Sequence, residues 1–293
     1  MKNEIPLYTY RNSKNHLQFE IQTLSFFSNN VRPGLVEIPH RINFYTILFI
    51  SEGSGHHSID FKTYDFKTGD LFFMTKNQVV SFKINKKAKG FLLFFEEEFL
   101  YQNQIQFNEL SYSFPFNYSL YSPRINTRSN QHSFEALFYS IYQEYNLTCG
   151  TSSVEILRCL IRALLLKSKA YSQQLELNNR EVSNLGVSVF IKFQKLLEQP
   201  SIGSRNGSYF CKALGVSYKY LNNLCKDLTG RTLKIFIDDS FILKARRELI
   251  YGNLNISEIA FNLGFEEVSN FTKYFKKHTN QSPSEFQNEK NTW

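Results

Sequence analysis

One pattern occurs twice in the C-terminal third of the chain, and it limits the possible folds more than any other feature of the sequence. The first copy spans residues 209–217 and continues through 218–230, and the second spans 256–265 and continues through 266–278. Each copy predicts a short apolar helix, a glycine turn and a longer helix that begins with small polar residues. The segment between the copies has helical periodicity. The sequence therefore predicts an all-α domain with two helix-turn-helix units.

The second helix of the first unit has an apolar face and a polar face. Ser217 is a favourable N-cap residue for this helix. The spacing i, i+3, i+4, i+7 predicts a buried stripe of Leu221, Leu224, Cys225 and Leu228. The opposite face, which we expect to be exposed, carries Tyr218, Lys219, Asn222, Asn223 and Lys226.

The second unit shows the same division into two faces. Its second helix is predicted to bury Phe271, Tyr274 and Phe275. The residues that it is predicted to expose are Val268, Ser269, Asn270, Lys273, Lys276 and Lys277. A long helix over residues 233–251 is predicted to join the units. A stiff helix can fix their separation, and two units that read successive major grooves on one DNA face need centres about 34 Å apart.

The polar faces of both units have the chemistry that double-stranded DNA requires. Asparagine can bond adenine through both its donor and its acceptor, and lysine suits guanine or phosphate. The net charge of +8 and the pI of about 9.1 fit a polyanionic partner, although basicity alone is weak evidence. The alternatives are a helical bundle with solvated lysines and a helical domain that binds a partner protein. The presence of two units together favours DNA.

A set of specific motifs covers residues 187–287. It comprises Ala213-Leu214-Gly215-Val216-Ser217, Tyr220-Leu221, Thr229-Gly230, Ile256-x-x-Ile259-Ala260-x-x-x-Gly264-Phe265, Ser269-x-Phe271, Phe275-Lys276-Lys277 and Ser282-Pro283. These motifs resemble the AraC/XylS family of bacterial transcription regulators. The resemblance implies a non-enzymatic, sequence-specific regulator of transcription. It places base-edge contacts at Lys219, Asn222 and Asn223 in the first unit and at Val268, Ser269, Asn270 and Lys273 in the second. Ser217, Lys226, Lys276 and Lys277 complete the predicted DNA-binding set.

Four positions depart from the family pattern. Cys211 replaces the usual alanine, which is a tolerable exchange of one small apolar residue for another. Cys225 replaces the usual phenylalanine, which we expect to loosen the core of the first unit. Asn280 stands where glycine is usual, but asparagine tolerates the left-handed conformation that ends a helix. Val268 cannot hydrogen-bond a base, so we expect it to contact a thymine methyl group.

The N-terminal half carries strand signals followed by helical ones. Short aromatic and β-branched segments recur about every ten residues between 21 and 95, which predicts a small barrel or sandwich. Residues 131–146 and 152–170 predict a helical hairpin, which is either a place for subunits to pair or a core pair within the domain. The segments 39–49, 53–55, 59–61 and 69–73 resemble, more loosely, the cupin-like sensor half of AraC/XylS regulators.

The complete prediction is a two-domain α+β protein. An N-terminal arm covers 1–20, a cupin-like β-barrel with a helical hairpin for sensing and dimerisation covers 21–170, a linker covers 171–184, and the double helix-turn-helix domain covers 185–293. The two units of the C-terminal domain are joined by a long helix.

The N-terminal half raises the question of a ligand. Cupin enzymes hold a metal with several histidines and a carboxylate, and the candidates here are His40, His56 and His57. Neighbouring residues on a strand point to opposite faces, so His56 and His57 cannot both line a barrel. We therefore expect no metal and no cofactor. This half is expected instead to bind a small organic effector or to act only as a dimerising scaffold. His40, Tyr45 and Phe49 are the candidate effector contacts that would face the barrel interior, and the alternative for each is a core residue. A metal-dependent cupin enzyme with an accessory DNA-binding tail is the alternative.

The remaining expectations concern the compartment and the partners. The four cysteines lack CxxC pairs and zinc-finger spacing, which indicates reduced and mostly buried thiols. The chain has no signal-peptide pattern and no apolar stretch long enough to cross a membrane, so we expect it in the cytoplasm. The expected partners are promoter DNA, a small organic effector, a second copy of the chain and RNA polymerase.

Overall fold

The protein is described by a computed structural model. The model describes residues 7–8, 18–30, 37–84, 88–100, 114–147, 151–175, 184–199, 205–251 and 254–288. Contacts between Cα atoms divide the chain into two compact units, which meet in sequence between Asn178 and Asn179. Most of the predicted linker, residues 176–183, lies outside the described residues.

Among the residues that the structure describes, ten strands belong to the N-terminal unit. They are β1 (Leu7–Tyr8), β2 (Phe19–Thr23), β3 (His40–Ile42), β4 (Tyr45–Glu52), β5 (Ser54–Ile59), β6 (Lys62–Lys67), β7 (Asp70–Met74), β8 (Val79–Ile84), β9 (Lys89–Phe95) and β10 (Arg124–Asn126). One sheet has the order β1-β3-β8-β5-β6, and the other has the order β10-β7-β4-β9-β2. All pairs are antiparallel except β1 with β3.

The predicted cupin-like barrel is not closed. Within the described strands, no ladder of hydrogen bonds joins the two sheets, so the architecture is a pair of five-stranded sheets with free edges. The predicted class, a β-rich unit followed by helices, is confirmed. A sandwich and a barrel produce the same alternating sequence pattern, because both bury one face of every strand.

Two apolar cores lie on opposite faces of the central sheet β10-β7-β4-β9-β2. The inter-sheet core contains Leu48, Ile50, Phe72, Val80 and Phe82, among others. The helix-side core packs Tyr45, Ile47, Phe49 and Leu93 against helical residues. Alternate residues of β4 therefore enter different cores, and this explains why Tyr45 to Ile50 are all buried.

The α-helices of the N-terminal unit in the described part of the chain are α1 (Leu24–Asn30), α2 (Glu97–Leu100), α3 (Gln131–Leu147) and α4 (Thr151–Leu175). The predicted hairpin of α3 and α4 is confirmed, and its buried residues Phe138, Ile141 and Ile161 join the helix-side core. Helix α4 continues five residues beyond its predicted end at 170. The reason is that Tyr171 is buried, with its ring against Phe134.

The predicted N-terminal arm also contains regular structure. Leu7–Tyr8 forms a parallel strand beside β3, with Leu7 opposite Arg41. Phe19 opens β2, pairs with Phe95 and is fully buried. The rest of residues 1–17 lies outside the described residues. The polar composition of the arm concealed these two attachments, because each needs only one or two residues.

The described residues of the C-terminal unit form the helices α5 (Asn184–Glu198), α6 (Gly207–Leu214), α7 (Tyr218–Thr229), α8 (Leu233–Tyr251), α9 (Ile256–Asn262), α10 (Val268–Thr279) and α11 (Pro283–Asn288). The prediction of two helix-turn-helix units joined by a long helix is confirmed, with α6 and α7 in the first unit and α9 and α10 in the second. Gly215, Gly230 and Asn280 end their helices in the left-handed conformation, as predicted for Asn280.

Candidate DNA-binding site

The second helix of the first helix-turn-helix unit is α7, hereafter the first reading helix, and α10 is likewise the second reading helix. Helix α7 is held in place by its N-cap and by its buried apolar stripe. The Ser217 hydroxyl oxygen accepts a hydrogen bond from the Tyr220 backbone N–H at 3.1 Å, which confirms the predicted N-cap. Leu221, Leu224 and Cys225 are buried, as the spacing predicted, whereas Leu228 is only partly buried. On the opposite side, Lys219, Asn223 and Lys226 are exposed. The helix therefore presents polar side chains while its other face is fixed in the core.

Asn222 differs from its neighbours on this face. Its side chain is only partly exposed, and its amide oxygen accepts a hydrogen bond from the Leu233 backbone N–H at 3.1 Å. Leu233 is the first residue of α8, so Asn222 satisfies one of the open N–H groups at the start of that helix. A bidentate contact with adenine needs both the donor and the acceptor of the amide. The capping bond uses one of the two lone pairs of the amide oxygen, so the reading of adenine by Asn222 stays a prediction in which that oxygen is shared with Leu233.

Replacement of Asn222 by Ala is expected to act mainly through stability. Loss of the capping acceptor should lower the free energy of unfolding by about 1 kcal/mol. Chemical denaturation of the variant measures this loss. The neighbouring Asn223→Ala is the matched control, and its stability should stay within about 0.5 kcal/mol of the parent. Unchanged stability in Asn222→Ala, with loss of preference at one base pair, would contradict the capping role.

The second reading helix, α10, has the same two faces. Phe271 and Phe275 are fully buried, and Tyr274 is partly buried with its hydroxyl donating to Asp238 Oδ1 at 2.8 Å. The exposed side chains on the other side are Ser269, Asn270, Lys273, Lys276 and Lys277. Val268 is partly exposed at the start of the helix.

Three hydrogen bonds shape the N-terminal ends of the two helices in the second unit. Helix α9 begins with a capping box, in which Asn255 and Glu258 each bond the backbone of the other. At the start of α10, the Ser269 hydroxyl donates to the Glu267 carboxylate at 2.9 Å, whereas Glu267 makes no side-chain cap. The Asn270 side chain makes no hydrogen bond of this kind to the residues that the structure describes. Ser269 thus offers an acceptor oxygen to DNA, and Asn270 offers a complete amide.

The cysteines of the first unit belong to its core. Cys225 is fully buried, and burial raises the pKa of its thiol to about 12. Burial also raises the pKa of Cys211. Cys159 in α4 is free and exposed, and Cys149 lies outside the described residues. Cys225 therefore acts as a small buried apolar residue at neutral pH, in place of the larger ring usual in the family.

The three predicted effector residues do not lie together. Tyr45 and Phe49 enter the helix-side core, where the Phe49 and Phe138 rings stack with centroids 5.0 Å apart. The expectation that these two side chains face the barrel interior is therefore wrong. They alternate along β4 with Leu48 and Ile50, which do face the other sheet. Sequence periodicity reveals that residues alternate, but it does not say which set faces which core.

His40 has a different position from the other two. It is buried, its Nδ1 lies 3.0 Å from the Ile38 carbonyl oxygen, and it pairs across the strands with Val80 of the inter-sheet core. Cross-strand partners share a face of the sheet. His40 therefore lies on the inner face, as the sequence predicted.

The prediction that His56 and His57 point to opposite faces is confirmed. His56 is exposed, with its Nδ1 2.6 Å from Asp65 Oδ1. His57 is buried with its Nδ1 2.9 Å from the Ser81 carbonyl oxygen, and burial lowers its pKa to about 4. Among the residues that the structure describes, no three His, Cys, Asp or Glu side chains converge to hold a metal ion. The geometry does not favour the alternative of a metal-dependent cupin enzyme.

The chain matches two family models that together span both units. Residues 210–289 match a helix-turn-helix domain. Residues 33–180, just over half of the chain, match an AraC-like ligand-binding domain. The chain belongs to the AraC/XylS family. This AraC-family protein is a DNA-binding transcription regulator with an N-terminal ligand-binding domain, as its sequence motifs predicted.

Individual relatives support the same assignment. The Msm operon regulatory protein of Streptococcus mutans is 25% identical over 247 residues, which cover 84% of each chain. The transcriptional activator RhaS of Escherichia coli is 23% identical over 250 residues, 83% of this chain and 85% of that one. A histidine kinase of Formosa agariphila is 37% identical over 79 residues, but this chain spans only 6% of its length.

The structure also bears on membrane association. No described helix of this AraC-family regulator is long and apolar enough to cross a bilayer.

Two features of the structure were not predicted from the sequence. One is an exposed stripe on α4 formed by Ile156, Cys159, Ala163, Leu166 and Ala170. Its regular spacing by three and four residues could have revealed it. Arg205 lies in an aperiodic segment before α6 and gave no signal.

Proposed function

We propose that this regulator binds promoter DNA by placing α7 and α10 in successive major grooves. The observation that carries the proposal is the two-faced structure of both helices, in which apolar stripes are buried and polar side chains stay exposed. The proposed base contacts come from Lys219 and Asn223 in α7 and from a larger set in α10. That set consists of Val268, Ser269, Asn270 and Lys273.

The remaining residues of the predicted set are assigned to the DNA backbone or to the helices themselves. Lys226, Lys276 and Lys277 are exposed near the C-terminal ends of α7 and α10, which suits contact with phosphates. Ser217 caps α7, and Asn222 offers DNA its amide N–H groups and the oxygen that it shares with Leu233. Asn270 carries the strongest specificity, because its exposed amide can pair with adenine through two hydrogen bonds.

Two substitutions in α10 separate base reading from phosphate binding. Asn270→Ala is expected to weaken the cognate site by about 10- to 100-fold, since a bidentate base contact contributes about 1–3 kcal/mol, with little change on random DNA. Lys276→Ala is expected to weaken both DNAs about equally and to lower the slope of log K against log salt by about one unit. Fluorescence anisotropy across a salt series measures both quantities. Equal losses from the two variants on both DNAs would contradict the assignment.

We further propose that the N-terminal unit binds a small organic effector between its two sheets. The match to an AraC-like ligand-binding domain supports a ligand in this unit. His40 is the predicted contact that lies on the inner face, whereas Tyr45 and Phe49 lie on the helix side and would act through the packing of α3. Because burial lowers the pKa of His40, a neutral imidazole is the form that would meet a ligand.

Pairing of two copies through α4 is the third part of the proposal. One face of α4 is buried through Leu157, Ile161 and Leu164. The opposite face carries an exposed stripe, hereafter the α4 stripe, which consists of Ile156, Cys159, Ala163, Leu166 and Ala170. These residues are spaced by three and four, as at the a and d positions of a coiled coil.

The exposure of this stripe is large for apolar side chains. Ile156 is 46% exposed and Leu166 is 67% exposed. A second α4 packed along the stripe would remove these side chains from water and bring two DNA-binding units onto one promoter. The proposed setting is the cytoplasm, where promoter DNA and RNA polymerase are both available to the regulator.

A further inference from the structure

Arg205 connects the two helix-turn-helix units directly. It lies just before α6 of the first unit, yet its guanidinium carbon is 3.6 Å from the centroid of the Phe265 ring in the second unit. It is also 5.5 Å from the Tyr274 ring, and Nη1 donates to the Leu263 carbonyl oxygen at 3.4 Å. Leu263 and Phe265 form the turn between α9 and α10. The Arg205 side chain therefore packs on the turn that sets the orientation of the second reading helix, α10.

The surface beneath Arg205 is held in place by α8. The Tyr274 hydroxyl donates to Asp238 Oδ1 at 2.8 Å, and the Phe265 and Tyr274 rings pack with centroids 5.4 Å apart. A planar guanidinium stacks on such rings, whereas the ammonium of lysine is a compact and strongly hydrated charge. The site therefore selects arginine by shape as well as by charge.

The residues after Arg205 reach the first reading helix. Asn206 caps α6, with its side-chain oxygen accepting from the Ser208 N–H at 3.0 Å. A methyl group added at Gly207 would lie 2.8 Å from the Tyr218 ring and 3.0 Å from Leu233. Tyr218 is the first residue of α7. Residues 205–207 are therefore wedged between the turn of the second unit and the start of the first reading helix.

We propose that Arg205 is a positioning residue that fixes the second reading helix relative to the first. It thereby sets the spacing between the two DNA boxes that the regulator recognises. Helix α8 links the two helix-turn-helix units along the chain. The contacts of Arg205 with the second unit form another link between them. This inference rests on the proposed function, in which both units contact DNA.

The test compares DNA with two boxes and DNA with one. A binding site selected from a random pool by the parent protein is used intact, with either box scrambled, and with one to five base pairs inserted between the boxes. Arg205→Ala and Arg205→Lys are each expected to lose about tenfold in affinity for the intact site. Affinity for single-box DNA should remain within about twofold of the parent, and the penalty for insertions should shrink.

The controls separate positioning from folding and from charge. Lys192→Ala removes one exposed charge from α5, which lies outside both helix-turn-helix units. This variant should leave the preference for the intact site unchanged. Thermal melting of each variant shows whether the C-terminal unit is still folded. Should Arg205→Ala fail to fold, Arg205→Lys alone decides the question. Equal losses on two-box and one-box DNA, or no loss on either, would overturn the proposal. If scrambling one box does not affect the parent protein, the proposed function fails instead.

Discussion

Replacing Leu166 by Glu is expected to convert the proposed α4-paired dimer into monomers. Leu166 belongs to the α4 stripe and is 67% exposed in the single chain. In a pair of α4 helices, glutamate at this position would meet its own copy or an apolar neighbour in a dry interface. An unpaired charge buried there costs several kcal/mol, so the dimer dissociation constant should rise by more than about 100-fold. Sedimentation velocity over a concentration series measures it.

The control for this experiment is the same substitution on another helix. Leu147 ends α3 and is 70% exposed, but it lies outside the α4 stripe. Leu147→Glu should leave the dimer intact. A Leu166→Glu protein that still dimerises, or two variants that dissociate equally, would show that the copies pair elsewhere. A DNA site with two operators should also bind Leu166→Glu less tightly, because the avidity of two linked units is lost.

Replacing Gly90 by Ala is expected to destabilise the N-terminal unit strongly. Gly90 has a φ of +152°, and an added Cβ would lie 1.9 Å from the Phe49 carbonyl oxygen. Phe49 is in the neighbouring strand β4, so the clash can be relieved only by breaking the pairing of β4 with β9 at this point. Backbone strain and overpacking together should cost about 3 kcal/mol or more.

Calorimetry should therefore show the transition of the N-terminal unit lowered or absent in Gly90→Ala. The C-terminal unit has its own core and should keep its transition and its affinity for single-box DNA. Gly215→Ala is the matched control, since Gly215 also has a positive φ, at +66°, but an added Cβ would meet nothing within 4 Å. It should cost only about 1–2 kcal/mol. Equal effects of the two substitutions would mean that the contact with Phe49 does not matter.

Local signals in the sequence were sufficient for much of the C-terminal unit. The cap at Ser217, the left-handed Asn280 and the buried Phe271 follow from residue types and from spacing along a single helix. Asn222 shows where this reasoning ends. Its position on the helix places it with the polar face, but its amide oxygen meets the backbone of Leu233, eleven residues away along the chain. Nothing in the sequence of α7 records where α8 begins in space.

The N-terminal unit was harder to predict for a similar reason. Alternation along β4 separates Tyr45 and Phe49 from Leu48, but both sets are apolar because the sheet is covered on both faces. Only the placement of α3 and α4 decides which set meets helices. By contrast, the opposite orientations of His56 and His57 follow from strand geometry alone. Arg205 shows the largest gap, since its ring partners lie 60 and 69 residues further along the chain.

Selection of DNA from a random pool by the intact protein tests the central claim most directly. Reading by both α7 and α10 predicts that the enriched sequences contain two conserved boxes with centres about 10–10.5 base pairs apart, one helical turn of DNA. Footprinting should then show both boxes protected on the same face of the duplex. No enrichment, or a single box that gives full affinity when its flanks are scrambled, would contradict the account.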